Sequence, residues 1–174
     1  MLRLLLLRHA KSSWSDPGQA DFDRPLNSRG RDAAPAMARF MASHGLLPQR
    51  VVCSTAQRAR ETLSLMLPHI AADMDVTLTR RLYEADGEGY LTAARTAAGT
   101  ANTLMLIGHN PAMEDLAMVL APTGDAAALG QLREKFPTCG LAVIEFDDPR
   151  WDAAGPGAGH LIAFHTPKSI DFEE

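Results

Sequence analysis

Two apolar runs in this 174-residue chain lead into a histidine. One reads Leu7-Arg8-His9, the other Ile107-Gly108-His109-Asn110-Pro111. A neutral imidazole is a nucleophile, and attack through a covalent intermediate splits one difficult displacement into two easier ones. Arginines stand nearby: Arg8 beside the first histidine, and Arg58 after a third apolar run, in Val51-Val52-Cys53-Ser54-Thr55-Ala56-Gln57-Arg58. Guanidinium groups carry a planar fork of donors that matches phosphate oxygens. Any one of these histidines taken alone is more simply a packed residue. Both of them at the ends of apolar runs favour a site, in which Arg8, His9, Arg58 and His109 converge for phosphoryl transfer. The chain has no Gly-rich phosphate loop and no acidic Mg²⁺ cluster, so side chains would supply the positive charge.

Those residues need a scaffold that brings run ends together. Leu4 to Leu7 reads as a strand, followed by a polar loop and a helix over about 28–44 with Ala34, Met37, Phe40 and Met41 on one face. Pro35 predicts a kink or a separate first turn in that helix, and Gly45 closes it. Residues 51–53 form a second strand, 55–67 a helix, 76–78 a weak strand and 89–98 a helix. Residues 103–107 form a strand, 111–120 a helix and 121–130 a loop. The runs 140–146 and 160–165 read as strands, paired antiparallel at a sheet edge through a loop containing Gly155-Pro156-Gly157. Alternation of strands and helices predicts an α/β fold, a three-layer α/β/α sandwich with a mostly parallel central sheet. Ligands of such sheets gather outside the carboxyl ends of the strands, where both histidines fall.

Local signals agree. Ser54 and Gln57 have capping-box spacing, and Asn110-Pro111 reads as an N-cap followed by a first helical residue, a combination that favours an anion beside His109. Arg58 then lies in a first helical turn, where the helix dipole opposes a cation. Either an anion sits between Arg58 and the helix end, or Arg58 pairs with a carboxylate such as Glu61.

Composition bounds the rest. Apolar residues make up 46% and charged residues 22%, ordinary for a globular protein and unlike a disordered or disulfide-stapled chain. The length fits a single domain, 1–174. Lys+Arg 17 against Asp+Glu 21 gives a net charge of −4, which argues against a nucleic-acid partner. Cys53 and Cys139 suit a reducing compartment and make no metal-ligand pattern. Leu4 to Leu7, between arginines, is too short for a signal core or a membrane span, so the expectation is a cytoplasmic protein with no membrane partner. Nothing here speaks to oligomeric state.

At this point a family resemblance becomes specific. Leu7-Arg8-His9-Ala10-Lys11-Ser12 resembles the Arg-His-Gly signature of the histidine phosphatase superfamily, which includes phosphoglycerate mutases, with alanine where most members have glycine. The Ala-Lys-Ser form resembles the small SixA-type phosphohistidine phosphatases. Further pieces follow in the family's order: Asp23-Arg24-Pro25-Leu26-Asn27-Ser28-Arg29-Gly30, Ser54 to Thr62, Leu82-Tyr83-Glu84-Ala85 and Gly108 to Pro111. Phe136-Pro137-Thr138 and Phe164-His165-Thr166-Pro167 resemble the subgroup's tail.

The resemblance implies a phosphoglycerate mutase-like fold with His9 as phosphoryl acceptor. It also implies that Arg8, Arg58 and His109 hold the phosphoryl oxygens, with no metal and no organic cofactor. Ser12 and Ser15 fall where larger relatives make phosphate contacts, although Ser15 replaces the usual asparagine. Glu84 is either the proton donor to a leaving oxygen or a solvated surface carboxylate. The remaining histidines, His44, His69, His160 and His165, are expected at helix ends or strand edges. The implied activity is a phosphatase acting on a phosphohistidine-bearing protein. The alternatives are a phosphatase or mutase of a small phosphorylated metabolite, and a non-catalytic phosphate-binding domain.

Overall fold

The computed structural model describes residues 1–171; the last three residues of the expected 1–174 domain lie outside the described residues. In chain order the elements begin with β1 (Leu2–Arg8), α1 (Ser28–Ser43), β2 (Arg50–Ser54), α2 (Gln57–Met66) and β3 (Asp75–Thr79). They continue with α3 (Arg81–Glu84), α4 (Gly87–Ala98), β4 (Thr103–Gly108), α5 (Ala112–Leu120) and β5 (Thr123–Gly124). The chain then forms α6 (Ala126–Glu134), β6 (Leu141–Phe146), β7 (Gly159–His165) and α7 (Pro167–Ile170). One seven-stranded sheet has the order β3-β2-β4-β1-β6-β7-β5. β6 is antiparallel to both of its neighbours, and all other pairings are parallel.

The central strands are uninterrupted apolar runs because both faces of the sheet are covered. Leu4 and Leu6 of β1 pack with Leu104 and Leu106 of β4 into one core, under Tyr90, Leu91, Met113 and Leu116 of α4 and α5. Leu5 and Leu7 pack with Met105 and Ile107 into the other core, under Met37, Met41, Leu63 and Met66 of α1 and α2. The period-two alternation of side chains along each strand thus divides neighbouring leucines between two cores, which makes the three layers.

Several local expectations are corrected. α1 passes through Pro35 without a separate first turn. An interior proline costs about 3 kcal/mol, but burial of Met37, Phe40 and Met41 against the sheet, at about 1.5–3 kcal/mol each, outweighs it. The segment 121–130 is not simply a loop: it holds β5 and the start of α6. Asp125 caps α6 by accepting from the Ala128 amide at 2.9 Å, yet α6 buries only Ala128 and Leu132. Two apolar contacts leave no readable periodicity. β6 and β7 do pair antiparallel, but the two-residue β5 lies outside β7 as the edge. Among the described residues no helix is long and apolar enough to cross a membrane.

Candidate active site

The register of the sheet sets the site. β1 pairs with β4 so that Leu7 lies beside Ile107 and Arg8 beside Gly108, and β2 pairs with β4 so that Cys53 lies beside Ile107. Three parallel strands therefore end level, and His9, His109 and Ser54 emerge at one edge. The His9 amide donates to the Gly108 carbonyl at 3.0 Å. From the other side the Cys139 amide reaches the carbonyls of Arg8 and His9, each at 3.0 Å. Gly108 is required by packing, since a Cβ there would collide with the Tyr90 ring. The Tyr90 hydroxyl accepts from the His109 amide at 2.9 Å and donates to the Leu82 carbonyl, which pins the start of the His109 segment.

His9 is buried, and its Nδ1 lies 2.7 Å from the Ala10 carbonyl. A carbonyl only accepts, so Nδ1 carries the proton and Nε2 keeps its lone pair. Arg58 Nε points at that Nε2 from 3.3 Å. Burial holds the His9 pKa well below 6.5, the Ala10 bond opposes the shift, and His109, Arg58 and Arg8 add to it. His109, with its ring 5.1 Å from that of His9, is lowered to about 4 by burial and then by the charge of Arg58. Both rings are therefore neutral at neutral pH. Imidazole NMR titration of the free protein should show two histidines that stay neutral as the pH falls through 6.5, where an ordinary imidazole takes up its proton. An ordinary midpoint near 6.5 for His9 would contradict this environment.

Arg58, the second residue of α2, is buried and held by Asp21: its Nη1 donates to the Asp21 carbonyl at 2.7 Å and its Nη2 to Oδ2 at 3.1 Å. Glu61 is engaged elsewhere, accepting from the Leu26 amide and from Gln57 Nε2, both at 2.8 Å. The Arg58–Glu61 pairing allowed by spacing therefore does not form. Thr62 accepts from the Ala10 amide at 2.9 Å and donates to the Arg58 carbonyl at 2.7 Å, tying the segment after β1 to α2. Arg24 is buried too, donating to Asp21 Oδ1 at 3.0 Å and to Ser12 Oγ at 2.7 Å. Asp21 also accepts from the Tyr83 hydroxyl at 2.7 Å. Although partial burial opposes it, the bonds from Tyr83 and Arg24 and the charge of Arg58 hold the Asp21 carboxyl down to about 2. Arg8 Nη1 and Asn110 Nδ2 share the Phe136 carbonyl, at 2.9 and 3.1 Å.

Arg8, His9, Arg58 and His109 thus line one cavity of about 280 Å³, together with Ser12, Arg24 and Asn110, and with Lys11, Trp14 and Thr138. Arg8 Nε and His109 Nδ1 are buried and make no hydrogen bond with the protein's described residues, which suits both to an anionic ligand. A larger cavity of about 530 Å³ between α4 and α5 contains no histidine. Among the described residues no group of three or more His, Cys, Asp or Glu side chains could hold a metal ion.

Other sequence candidates fall differently. Ser12 lines the cavity, but Ser15 does not; its hydroxyl pairs with that of Ser13 at 2.8 Å on the exposed loop. Glu84 stays outside the lining, 62% exposed, with its carboxylate on Arg80 Nε at 2.7 Å. The capping box of Ser54 and Gln57 is absent. α2 starts at Gln57, and Ser54 Oγ instead accepts from the Ala56 amide at 3.2 Å and bonds His109 Nε2 at 2.7 Å. Asn110 is not the N-cap of α5, which begins at Ala112 after a cis Asn110–Pro111 bond. Asn110 still serves that helix start, since its Oδ1 accepts from the Glu114 amide at 3.2 Å. Sequence reasoning missed Asp21 and Arg24 as site residues. Their signal was a run of charge, Asp21-Phe22-Asp23-Arg24, unusually dense for an ordinary loop.

Comparison with known proteins places this geometry. The family model for the histidine phosphatase superfamily (branch 1) matches residues 4–99. An uncharacterized protein of Mycobacterium tuberculosis is 37% identical over 164 residues, covering 93% of this chain and 100% of the relative. The crystal structure of a candidate SixA phosphohistidine phosphatase from Agrobacterium tumefaciens superposes with a TM-score of 0.79 at 32% identity, covering 95% of this chain and 99% of that one. A second candidate SixA phosphohistidine phosphatase, from Nakamurella multipartitia, gives a TM-score of 0.82 at 25% identity, covering 95% and 96%.

Proposed function

Because this chain belongs to the histidine phosphatase superfamily, we propose that it is a phosphatase working through a phosphohistidine on His9, with phosphohistidine of a protein as its substrate. The observation that carries the reading is His9 itself. It is a neutral imidazole whose Nδ1–H is committed to a carbonyl and whose Nε2 faces a cavity walled by three arginines. In the first step the Nε2 lone pair forms a bond to phosphorus while the bond from phosphorus to the leaving atom breaks. The leaving group departs with that electron pair. Arg8 and Arg58 donate to the equatorial oxygens, where negative charge is concentrated in the transition state. Ser54 Oγ lies 2.7 Å from His109 Nε2, and with the serine proton given to that nitrogen the His109 ring proton sits on Nδ1, available to a phosphoryl oxygen. In the second step water attacks phosphorus, the bond to His9 Nε2 breaks with its electrons returning to nitrogen, and the proton lost by water goes to solvent. The products are inorganic phosphate and the starting enzyme.

The leaving group argues for the substrate. The cavity lining contains no carboxyl group to protonate a departing alkoxide. A phosphorylated imidazole needs none, because its distal nitrogen takes a proton from solvent before the P–N bond breaks. Competition between a phosphohistidine-bearing protein and a panel of phosphorylated metabolites tests this choice: the protein should be dephosphorylated with the higher kcat/KM, and a metabolite preferred over it would overturn the assignment. In the same assay Glu84→Gln should leave both substrate classes within about twofold of wild type, as expected for an exposed residue. A loss confined to phosphate esters would instead bring Glu84 into the reaction as proton donor.

A further inference from the structure

The mouth of the cavity holds a residue that phosphoryl transfer does not use. Trp14 lines the cavity and is nonetheless 77% exposed, an unusual placement for the largest apolar side chain. Its ring is not loose. The Arg24 guanidinium stacks on it at 3.6 Å from the ring centroid, and that guanidinium is fixed by Asp21 and Ser12. The backbone is held as well: Ser12 bridges to Leu26, and the Ser13 amide donates to the Pro25 carbonyl at 2.8 Å. One indole face is thus committed to a buried cation, and the exposure belongs to a ring held at the rim of the phosphoryl pocket. No other aromatic ring of the described residues stacks on it.

We infer that Trp14 is the leaving-group platform of this site, stacking an aromatic or heteroaromatic ring that bears the phosphoryl group directly. The inference rests on the phosphatase reading and narrows it. Of the groups that carry phosphate, a flat ring one bond from phosphorus can lie on the indole while its phosphoryl oxygens reach Arg8 and Arg58. The imidazole of phosphohistidine has that shape, and aliphatic phosphate esters do not. Stacking holds ground state and transition state alike, so its loss should appear in KM and leave kcat nearly unchanged.

Two measurements test the platform. In binding, phenylphosphonate should be held about five- to tenfold more tightly than methylphosphonate by wild type. Trp14→Ala should erase that preference and Trp14→Phe should keep most of it. In turnover, Trp14→Ala should raise KM for phosphoimidazole by a similar factor while acetyl phosphate and phosphoramidate stay within about twofold. An equal loss on all three substrates would mean that Trp14 acts by placing Arg24, and unchanged binding ratios would remove the platform altogether; either result overturns the inference. If wild type turns over none of the three, the phosphatase reading fails, and the phosphonate ratio still decides whether Trp14 receives rings.

Discussion

His9→Ala should eliminate turnover of acetyl phosphate and p-nitrophenyl phosphate, a fall of roughly 10⁴-fold or more, as expected when the proposed phosphoryl acceptor is removed. The same change should abolish the acid-labile phosphoprotein that forms when wild type is mixed briefly with a radiolabelled phosphoryl donor. The fold should survive. His9 sits beyond the end of β1, and the strand's own leucines, not this ring, fill the two cores. Removal of the ring does leave the Ala10 carbonyl without its partner, which costs about 1–3 kcal/mol if no water replaces it. Circular dichroism and thermal melting of the variant separate that loss from the catalytic one. A folded His9→Ala protein with unchanged activity, or with the labile phosphate still present, would remove His9 from the nucleophile's role.

Arg58→Ala should cost about 10²- to 10³-fold in kcat/KM, the usual effect of deleting one donor to developing charge. A second signature accompanies it. Arg58 lies against His9 Nε2 and is one of the charges that depress the pKa of that ring. Without the cation the imidazolium becomes less unfavourable, so the His9 pKa rises toward 6.5. In the proposed mechanism the neutral ring is the nucleophile, so the acid limb of kcat/KM should move to higher pH in the variant. Arg58→Lys keeps a charge but loses the fork that spans Asp21 and the cavity, so it should recover the pH profile better than the rate. A simple loss of rate with an unmoved acid limb would mean that Arg58 binds phosphate without tuning His9.

Much of this site was readable in one dimension. His9 and His109 stood out because each follows a run too apolar to be anything but a buried strand, and parallel strands in an α/β sheet deliver their ends to one edge. Arg58 was readable as a cation placed against a helix dipole. The positions that escaped are those whose role depends on a partner distant in sequence. Asp21 binds Arg58 across 37 positions, and Ser54 reaches His109 across 55. Ser54 illustrates the difficulty. Its spacing to Gln57 suggests a cap, but α2 begins only at Gln57, and the hydroxyl instead accepts from the Ala56 amide and lies 2.7 Å from His109 Nε2.

The amino-acid sequence by itself determined the layers, the strand ends and the chemical types gathered there, because those follow from apolar periodicity and from the donors each side chain carries. Only the tertiary structure decided which groups meet. It set β1, β4 and β2 in register so that both histidines share an edge, and it gave Arg58 to Asp21 when Glu61 was nearer in the chain. It also left Glu84 on Arg80 outside the cavity and held Trp14 at its rim. The reason is physical: hydrogen bonds and ion pairs act over about 3 Å, and which atoms come that close is fixed by the packing of the whole chain, not by their spacing along it.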